Sequence, residues 1–398
     1  MESSASHPEN SPEPIPAPRP GLARWLASEP FRLFFPLGVF WSVAGVSLWP
    51  LYYGGALGFY PGVIHSRLLI QAFGGAFVIG FLGTAGPRHM GAPPLTPWEL
   101  GLLLALHLSN AVLLIFLAVP AADACFLALL TTLFLSLFVR LIRFRMDWPD
   151  HGFIPAGAGL LCGISGTLMW LNPAWIAAPG PWRLANLLLN QGLLLLPILG
   201  FGPMLFPRPP DISGRSPAAM ALGITGLILA SFLIETAGYP VSGCLLRAGS
   251  AAVWLWHGMR WRPHPGSAPA GTLTRGLSWA VIPGIAGLAA TGFFYDQRVG
   301  MEHLLYICLF GLLMLIIGSR VLFGHSGDPA GFRSRSWIAR LIIGAVFTAG
   351  LTRASASLFP RIMVSHHLYA AALWIAAALM WIFWHRKRFH TPDPGDAQ

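Results

Sequence analysis

The sequence predicts an all-α integral membrane protein, a polytopic bundle of about twelve transmembrane helices. Two observations lead to this prediction. The chain of 398 residues is 55% hydrophobic and only 10% charged, whereas a soluble domain carries roughly 25% charged residues. Apolar stretches of about 20 residues, long enough to cross about 30 Å of hydrocarbon, also recur along the whole chain.

Glycine and proline residues separate these apolar stretches. The predicted spans are 31–53, 64–86, 97–118, 121–142, 153–172, 183–206, 218–237, 239–260, 272–295, 300–323, 337–359 and 361–384. The loops at Val119-Pro120 and Gly238-Tyr239 are very short, so the spans that they join are expected to pack as antiparallel hairpins. Spans two and ten resemble each other, since each begins with a histidine and ends near a glycine and a histidine. This similarity is compatible with two halves of six spans.

The sequence predicts a tail at each end of the transmembrane domain. Residues 1–30 contain six prolines between Pro8 and Pro20, so we expect a disordered cytoplasmic tail there. The transmembrane domain then covers residues 31–384. Residues 385–398, basic at first and then polar, are expected to form a cytoplasmic C-terminal tail.

The basic residues predict the orientation. If the N-terminus is cytoplasmic, 19 arginines and lysines fall on that side and 4 on the other, with Arg247 and Arg353 inside spans. The positive-inside rule therefore places both termini in the cytoplasm, which requires an even number of spans. The net charge of +10 is spread over these loops, and no recognition motif accompanies it, so nucleic acid is not predicted as a partner.

Four histidines are predicted at the outer membrane level. They are His65 at the start of span two, His303 at the start of span ten, and His366 and His367 early in span twelve. Neutral imidazole is the usual ligand of haem iron, copper and zinc, and histidines from three spans could meet inside a bundle. The sequence leaves open a second interpretation, in which these are interfacial histidines that face headgroup water.

Charged residues within spans are costly and are therefore functional candidates. Glu235 and Arg247 flank the turn between spans seven and eight, so a structural ion pair is predicted there. Arg353 lies within two turns of the outer end of span eleven. In a second interpretation, Arg247 and Arg353 neutralise an anion such as the propionates of a haem, because arginine binds carboxylates with two parallel hydrogen bonds.

Arg320 and His325 close span ten on the inner side. Positive groups are favoured at a helix C-terminus, and Gly324 and Gly327 permit a tight turn, so helix capping accounts for both residues. No Walker motif, Ser-His-Asp set or His-Glu-x-x-His motif is present. The residues therefore leave open whether the protein is an enzyme.

Two stretches resemble a known family. Residues His65 to Glu99, HSRLLIQAFGGAFVIGFLGTAGPRHMGAPPLTPWE, resemble the second-span signature of the NnrS family. Residues Glu302 to Pro329, EHLLYICLFGLLMLIIGSRVLFGHSGDP, are similar to its pattern of a histidine, an apolar span, an arginine and Gly-His-Thr-Gly. The resemblance implies a multi-pass protein of the bacterial inner membrane that binds haem and copper, linked to nitric oxide metabolism and nitrosative stress.

The resemblance also bears on individual residues, because His65, His303, Arg320 and His325 match family motif positions. The predicted cofactor-binding residues are therefore His65, His303, His366, His367, Arg247, Arg353, Arg320 and His325, with His65, His303 and His366 as metal ligands. The family usually has a second histidine and a glutamate just after the first histidine, where this chain has Arg67 and Leu68. A member that has diverged in this way could bind fewer metals, or none.

A second function class stays open. A transporter of small solutes or ions without a cofactor would use broken helices and a polar site at the midplane, and Pro155, Pro197 and Pro283 lie inside spans. Few charges lie at the midplane, however. The expected partners are the lipid bilayer and, as the resemblance implies, nitric oxide or a related small ligand.

Overall fold

The protein is described by a computed structural model that covers residues 21–205, 218–259 and 271–392. Within these residues the secondary structure is helical and contains no strand. The predicted all-α fold is thus confirmed.

The described residues form twelve long helices, α1 to α12, which follow the predicted spans to within a few residues. In chain order they are Phe31–Tyr53, Gly62–His89, Pro97–Ile115, Val119–Phe144, Phe153–Leu171, Pro179–Gly202, Ala218–Thr236, Pro240–Met259, Thr272–Phe293, Tyr295–His325, Trp337–Leu358 and Pro360–His385. Among the described residues, 11 helices are long and apolar enough to cross a membrane. The remaining one is α8, which has 20 residues and contains Arg247.

Helices α2, α6 and α10 form the centre of the bundle. The most apolar parts of these helices are 83%, 78% and 67% buried, against 33–61% for the other candidate spans. Gly74 of α2 lies against Leu194 of α6, and Gly318 of α10 lies against Phe77 of α2. Helices α6 and α10 are also in contact.

Each central helix contains a π-helical segment near its first turns. These segments are Leu68–Gly74, Leu187–Gly192 and Leu304–Gly311. A π segment disturbs the regular hydrogen bonding of a helix and often marks a functional site. These segments recur every fourth helix, and a further π segment, Arg140–Phe144, ends α4. The division into two halves of six spans stays a prediction. Helix α4 packs on α5, α8 on α9, and α12 on α1.

The described ends of the chain pack more closely than predicted. Residues 1–20 and 393–398 lie outside the described residues. A short helix, Leu22–Ser28, precedes α1, and the predicted disordered tail is therefore too long at its C-terminal end. The predicted C-terminal tail also begins too early, because His385 is buried. In addition, the Arg32 guanidinium donates hydrogen bonds to the carbonyl oxygens of Arg388 and Phe389, at 3.0 and 3.1 Å.

Both termini are expected in the cytoplasm, because the basic residues favour that side. A reporter active only in the cytoplasm should therefore work after Gln398 and fail in the loop before Pro179, which joins α5 to α6. A reporter active only outside should give the opposite pattern. Activity of one reporter at both positions would contradict the orientation.

Candidate functional site

Hydrogen bonds to carbonyl oxygens define the tautomer of His65 and His303, as another such bond does for His366. Nδ1 of His65 in α2 lies 3.0 Å from the carbonyl oxygen of Gly45 in α1. Nδ1 of His303 in α10 lies 2.5 Å from the carbonyl oxygen of Val299, one turn earlier. A carbonyl oxygen only accepts hydrogen bonds, so Nδ1 must carry the proton on each ring. The lone pair of each Nε2 is then available to a ligand, which is how metal-binding histidines are usually oriented.

His367 of α12 joins these two residues from the other side of α1. Its Nδ1 lies 2.8 Å from the hydroxyl oxygen of Tyr53. The Trp49 ring packs against the rings of both His65 and His367, with centroids 5.8 and 5.3 Å apart. His303 lies near His65 and His367, but among the described residues its ring contacts Tyr306 and not these two histidines. These three histidines, from α2, α10 and α12, are called the His cluster below.

Arg353 of α11 supplies a positive charge to the His cluster. Helix α11 packs against the helices of His303 and His367, and Arg353 Nη1 donates a hydrogen bond to Ser357 Oγ at 3.0 Å. Among the described residues, no carboxylate forms an ion pair with it. A half-buried guanidinium of this kind is suited to an anionic group of a ligand.

The contacts of His366 lie within its own helix and not with the His cluster, so its role as a metal ligand stays a prediction. Its Nδ1 lies 3.1 Å from the carbonyl oxygen of Ile362, and its ring packs against Tyr369 in the same helix. Consecutive helical residues point about 100° apart, so when His367 faces the cluster His366 faces elsewhere. In the described part of the chain, no three His, Cys, Asp or Glu side chains are close enough to hold a metal ion.

The predicted ion pair between Glu235 and Arg247 is confirmed, and it belongs to a larger buried network. Arg247 Nη2 lies 2.6 Å from Glu235 Oε2, and both side chains are fully buried. Arg183 of α6 bridges Glu235 to Glu302 of α10, with N–O distances of 2.7 and 2.5 Å. Gln191 connects Arg247 to Glu302. These five residues, from four helices, are called the charge network below.

The charge network leaves Arg247 few donors for a cofactor. Its Nε, Nη1 and Nη2 donate to Ser231, Gln191 and Glu235, and its guanidinium lies over the Phe232 ring. The two arginines and two carboxylates of the network balance in charge. Of the two arginines predicted to neutralise an anionic cofactor, Arg353 is thus the one with donors to spare.

Arg67 stands where the resemblance implies a second histidine. Its guanidinium forms an ion pair with a carboxylate. Its Nε lies 3.0 Å from Asp123 Oδ1, and its guanidinium stacks on the Trp170 ring. Gln71 also donates to Asp123, and Asn110 donates to Gln71. This buried group joins α2, α3 and α4 and supplies no histidine for a metal.

The inner residues Arg320 and His325 lie apart from each other. They are five positions apart, which turns them by about 140° around the helix. Arg320 lies over the Phe332 ring, whereas His325 Nδ1 forms a hydrogen bond with Glu29. Glu29 is fully buried and also pairs with Arg32 and Arg88. Glu29 was not predicted as a site residue, although it is an acidic residue directly before the first span.

Glu29 holds the inner ends of α1, α2 and α10 together. Burial raises the pKa of the Glu29 carboxyl, but the hydrogen bond and charge of His325 and the guanidinium of Arg32 outweigh burial, so this pKa lies below its ordinary value. A lowered carboxyl pKa adds stability above the unfolded-state value, about 4.3 for glutamate, and this stability is lost as the pH falls through the folded-state value.

Replacing Glu29 by glutamine should therefore lower the melting temperature at pH 7, because Arg32 and Arg88 lose their buried partner. The difference between wild type and Glu29→Gln should shrink as the pH falls below about 4. Melting curves of the purified protein between pH 7 and pH 4 would measure this. A difference that grows towards low pH would contradict it.

No curated protein matches the chain. The profile of one protein family, described as NnrS protein, matches residues 25–392. This match covers α1 to α12 and both stretches that carry the resemblance. The chain belongs to the NnrS family.

Proposed function

We propose that this chain is a haem-binding protein of the bacterial inner membrane that acts in nitric oxide metabolism or nitrosative stress defence, with copper as a second candidate metal. The observation that carries the proposal is the His cluster. Hydrogen bonds from Nδ1 of His65 and His303 to carbonyl oxygens leave their Nε2 atoms for a metal. Family membership supports the same function.

The residues of the cluster have distinct proposed roles. His303, with His65 or His367, would supply the imidazoles on the metal, and Arg353 would neutralise a propionate. Trp49 and Tyr53 would orient the rings of His65 and His367. When bound, haem iron or copper would supply one-electron chemistry.

Arg320 and His325 would act at a separate place. His325 lies 22 residues after His303 on α10, which is about 33 Å along the helix and comparable to the hydrocarbon thickness. One cofactor cannot span that distance. We therefore assign Arg320 and His325 to the opposite end of the protein, where His325 binds Glu29.

The test is the absorption spectrum and metal content of the full-length protein purified in detergent. We expect a haem absorption band, or copper by elemental analysis, near one equivalent per chain. A strain that lacks the protein should also grow less well under a nitric oxide donor, and the wild-type gene should restore growth. Absence of both haem and copper would contradict the proposed cofactor, and Arg67 and Leu68 would then explain the loss.

A further inference from the structure

A groove opens between α9 and α11 on the side where both helices begin. Its volume is about 520 Å³. Three arginines line its mouth: Arg275, Arg335 and Arg340. All three are exposed, and the described residues that line the groove include no carboxylate. The mouth is therefore strongly positive and suits an anion.

The polypeptide backbone holds these arginines together. The amide of Thr272, the first residue of α9, donates to the carbonyl oxygen of Ser334 at 3.1 Å. The amide of Ser336 in turn donates to Thr272 Oγ1 at 3.1 Å. These two bonds fix the loop before α11 against the start of α9. The backbone at Arg335 is thus fixed against the first turn of α9, which also carries Arg275.

The deeper part of the groove is apolar and runs into the membrane. It is lined by Trp279, Ile343 and Phe347. Phe347 follows Arg340 by seven residues, so the groove extends about 10 Å along α11. Trp279 is 60% exposed and lies about two turns into α9. At Gly344 a Cβ atom would meet no other protein atom within 4 Å, so this wall of the groove is open.

From these features we propose that the groove binds one anionic phospholipid of the leaflet on the basic side, which is the cytoplasmic leaflet in the predicted orientation. The anionic phosphate of the lipid headgroup binds Arg275, Arg335 and Arg340. One acyl chain of the lipid lies along Trp279 and Phe347. Basic pockets between transmembrane helices are typical sites for anionic lipids. A soluble anion would use the arginines alone and gain nothing from the apolar part of the groove.

The experiment is a lipid titration of the full-length protein in detergent, followed by native mass spectrometry. Phosphatidylglycerol should be retained about tenfold or more above phosphatidylcholine. The variant R275Q/R335Q/R340Q should lose this preference. The matched control R143Q/R386Q/K387Q removes three exposed basic residues elsewhere on the same predicted side and should keep it. Gly344→Leu should weaken phosphatidylglycerol binding with all three arginines in place, because leucine would occupy the space of the acyl chain.

Three results would overturn the proposal. Equal retention of phosphatidylglycerol and phosphatidylcholine by the wild-type protein would remove the charge argument. An equal loss in both triple variants would show that only overall charge matters. Full competition by inorganic phosphate at similar concentration would make the ligand a soluble anion instead of a lipid.

Discussion

Replacing Glu235 by glutamine should lower the free energy of unfolding by about 3–5 kcal/mol, one of the largest effects expected in this protein. In the wild type the two carboxylates of the charge network balance its two arginines. Glu235→Gln leaves Arg183 and Arg247 with Glu302 as the remaining carboxylate of the network. Arg247 is fully buried, so water cannot replace the lost partner.

The reverse change, Arg247→Gln, should destabilise the protein to a similar degree, because it leaves one carboxylate in excess. The double variant E235Q/R247Q should recover part of the loss, since Arg183 and Glu302 remain as a neutral pair. Chemical unfolding in mixed micelles would measure all three variants. Asp296→Asn is the matched control, because this carboxylate is exposed near the start of α10, and it should change stability by less than about 0.5 kcal/mol.

Simple additivity of the two single losses would argue against the network. Residues that share an ion pair show an interaction energy in a double-mutant cycle, whereas independent residues do not. If Asp296→Asn cost as much as Glu235→Gln, the losses would reflect general charge effects on the outer side and not a buried network.

The sequence predicted the helices well because a helix that crosses a membrane must be apolar for about 20 residues. It also predicted the pair of Glu235 and Arg247, since the tight turn at Gly238, where φ is +99°, forces their helices to be neighbours. Arg183 and Glu302 were not predicted as partners of this pair. They are 119 positions apart, and hydropathy does not show that α6 and α10 touch at the centre of the bundle.

Helix rotation explains the remaining differences at the candidate site. His366 and His367 are adjacent in sequence, and composition cannot show which of them faces α1. The contact with Trp49 and Tyr53 selects His367. Trp49 and Tyr53 themselves lie at the outer end of α1, where aromatic residues are expected for reasons of membrane depth alone. The sequence therefore gave no separate signal for their contacts with histidine.

Replacing His303 by alanine should remove the haem absorption of the purified protein or shift it strongly. His303 lies on central helix α10 directly before its π segment, and its Nδ1 bond to Val299 leaves Nε2 for the iron. Alanine supplies no ligand in its place. Haem content per chain and the position of the absorption band would measure the effect. Arg353→Gln should keep the band position but lower the haem content, because it removes the charge proposed to hold a propionate.

His366→Ala is the matched control for His303→Ala. It also removes a histidine at the outer membrane level, but the contacts of His366 are with Ile362, Ser365 and Tyr369 of α12. We therefore expect wild-type haem content and spectrum for His366→Ala. Loss of haem in His366→Ala together with a normal spectrum in His303→Ala would place the ligand elsewhere. Equal loss in both variants, with normal protein levels, would indicate that either change disturbs the outer end of the bundle as a whole.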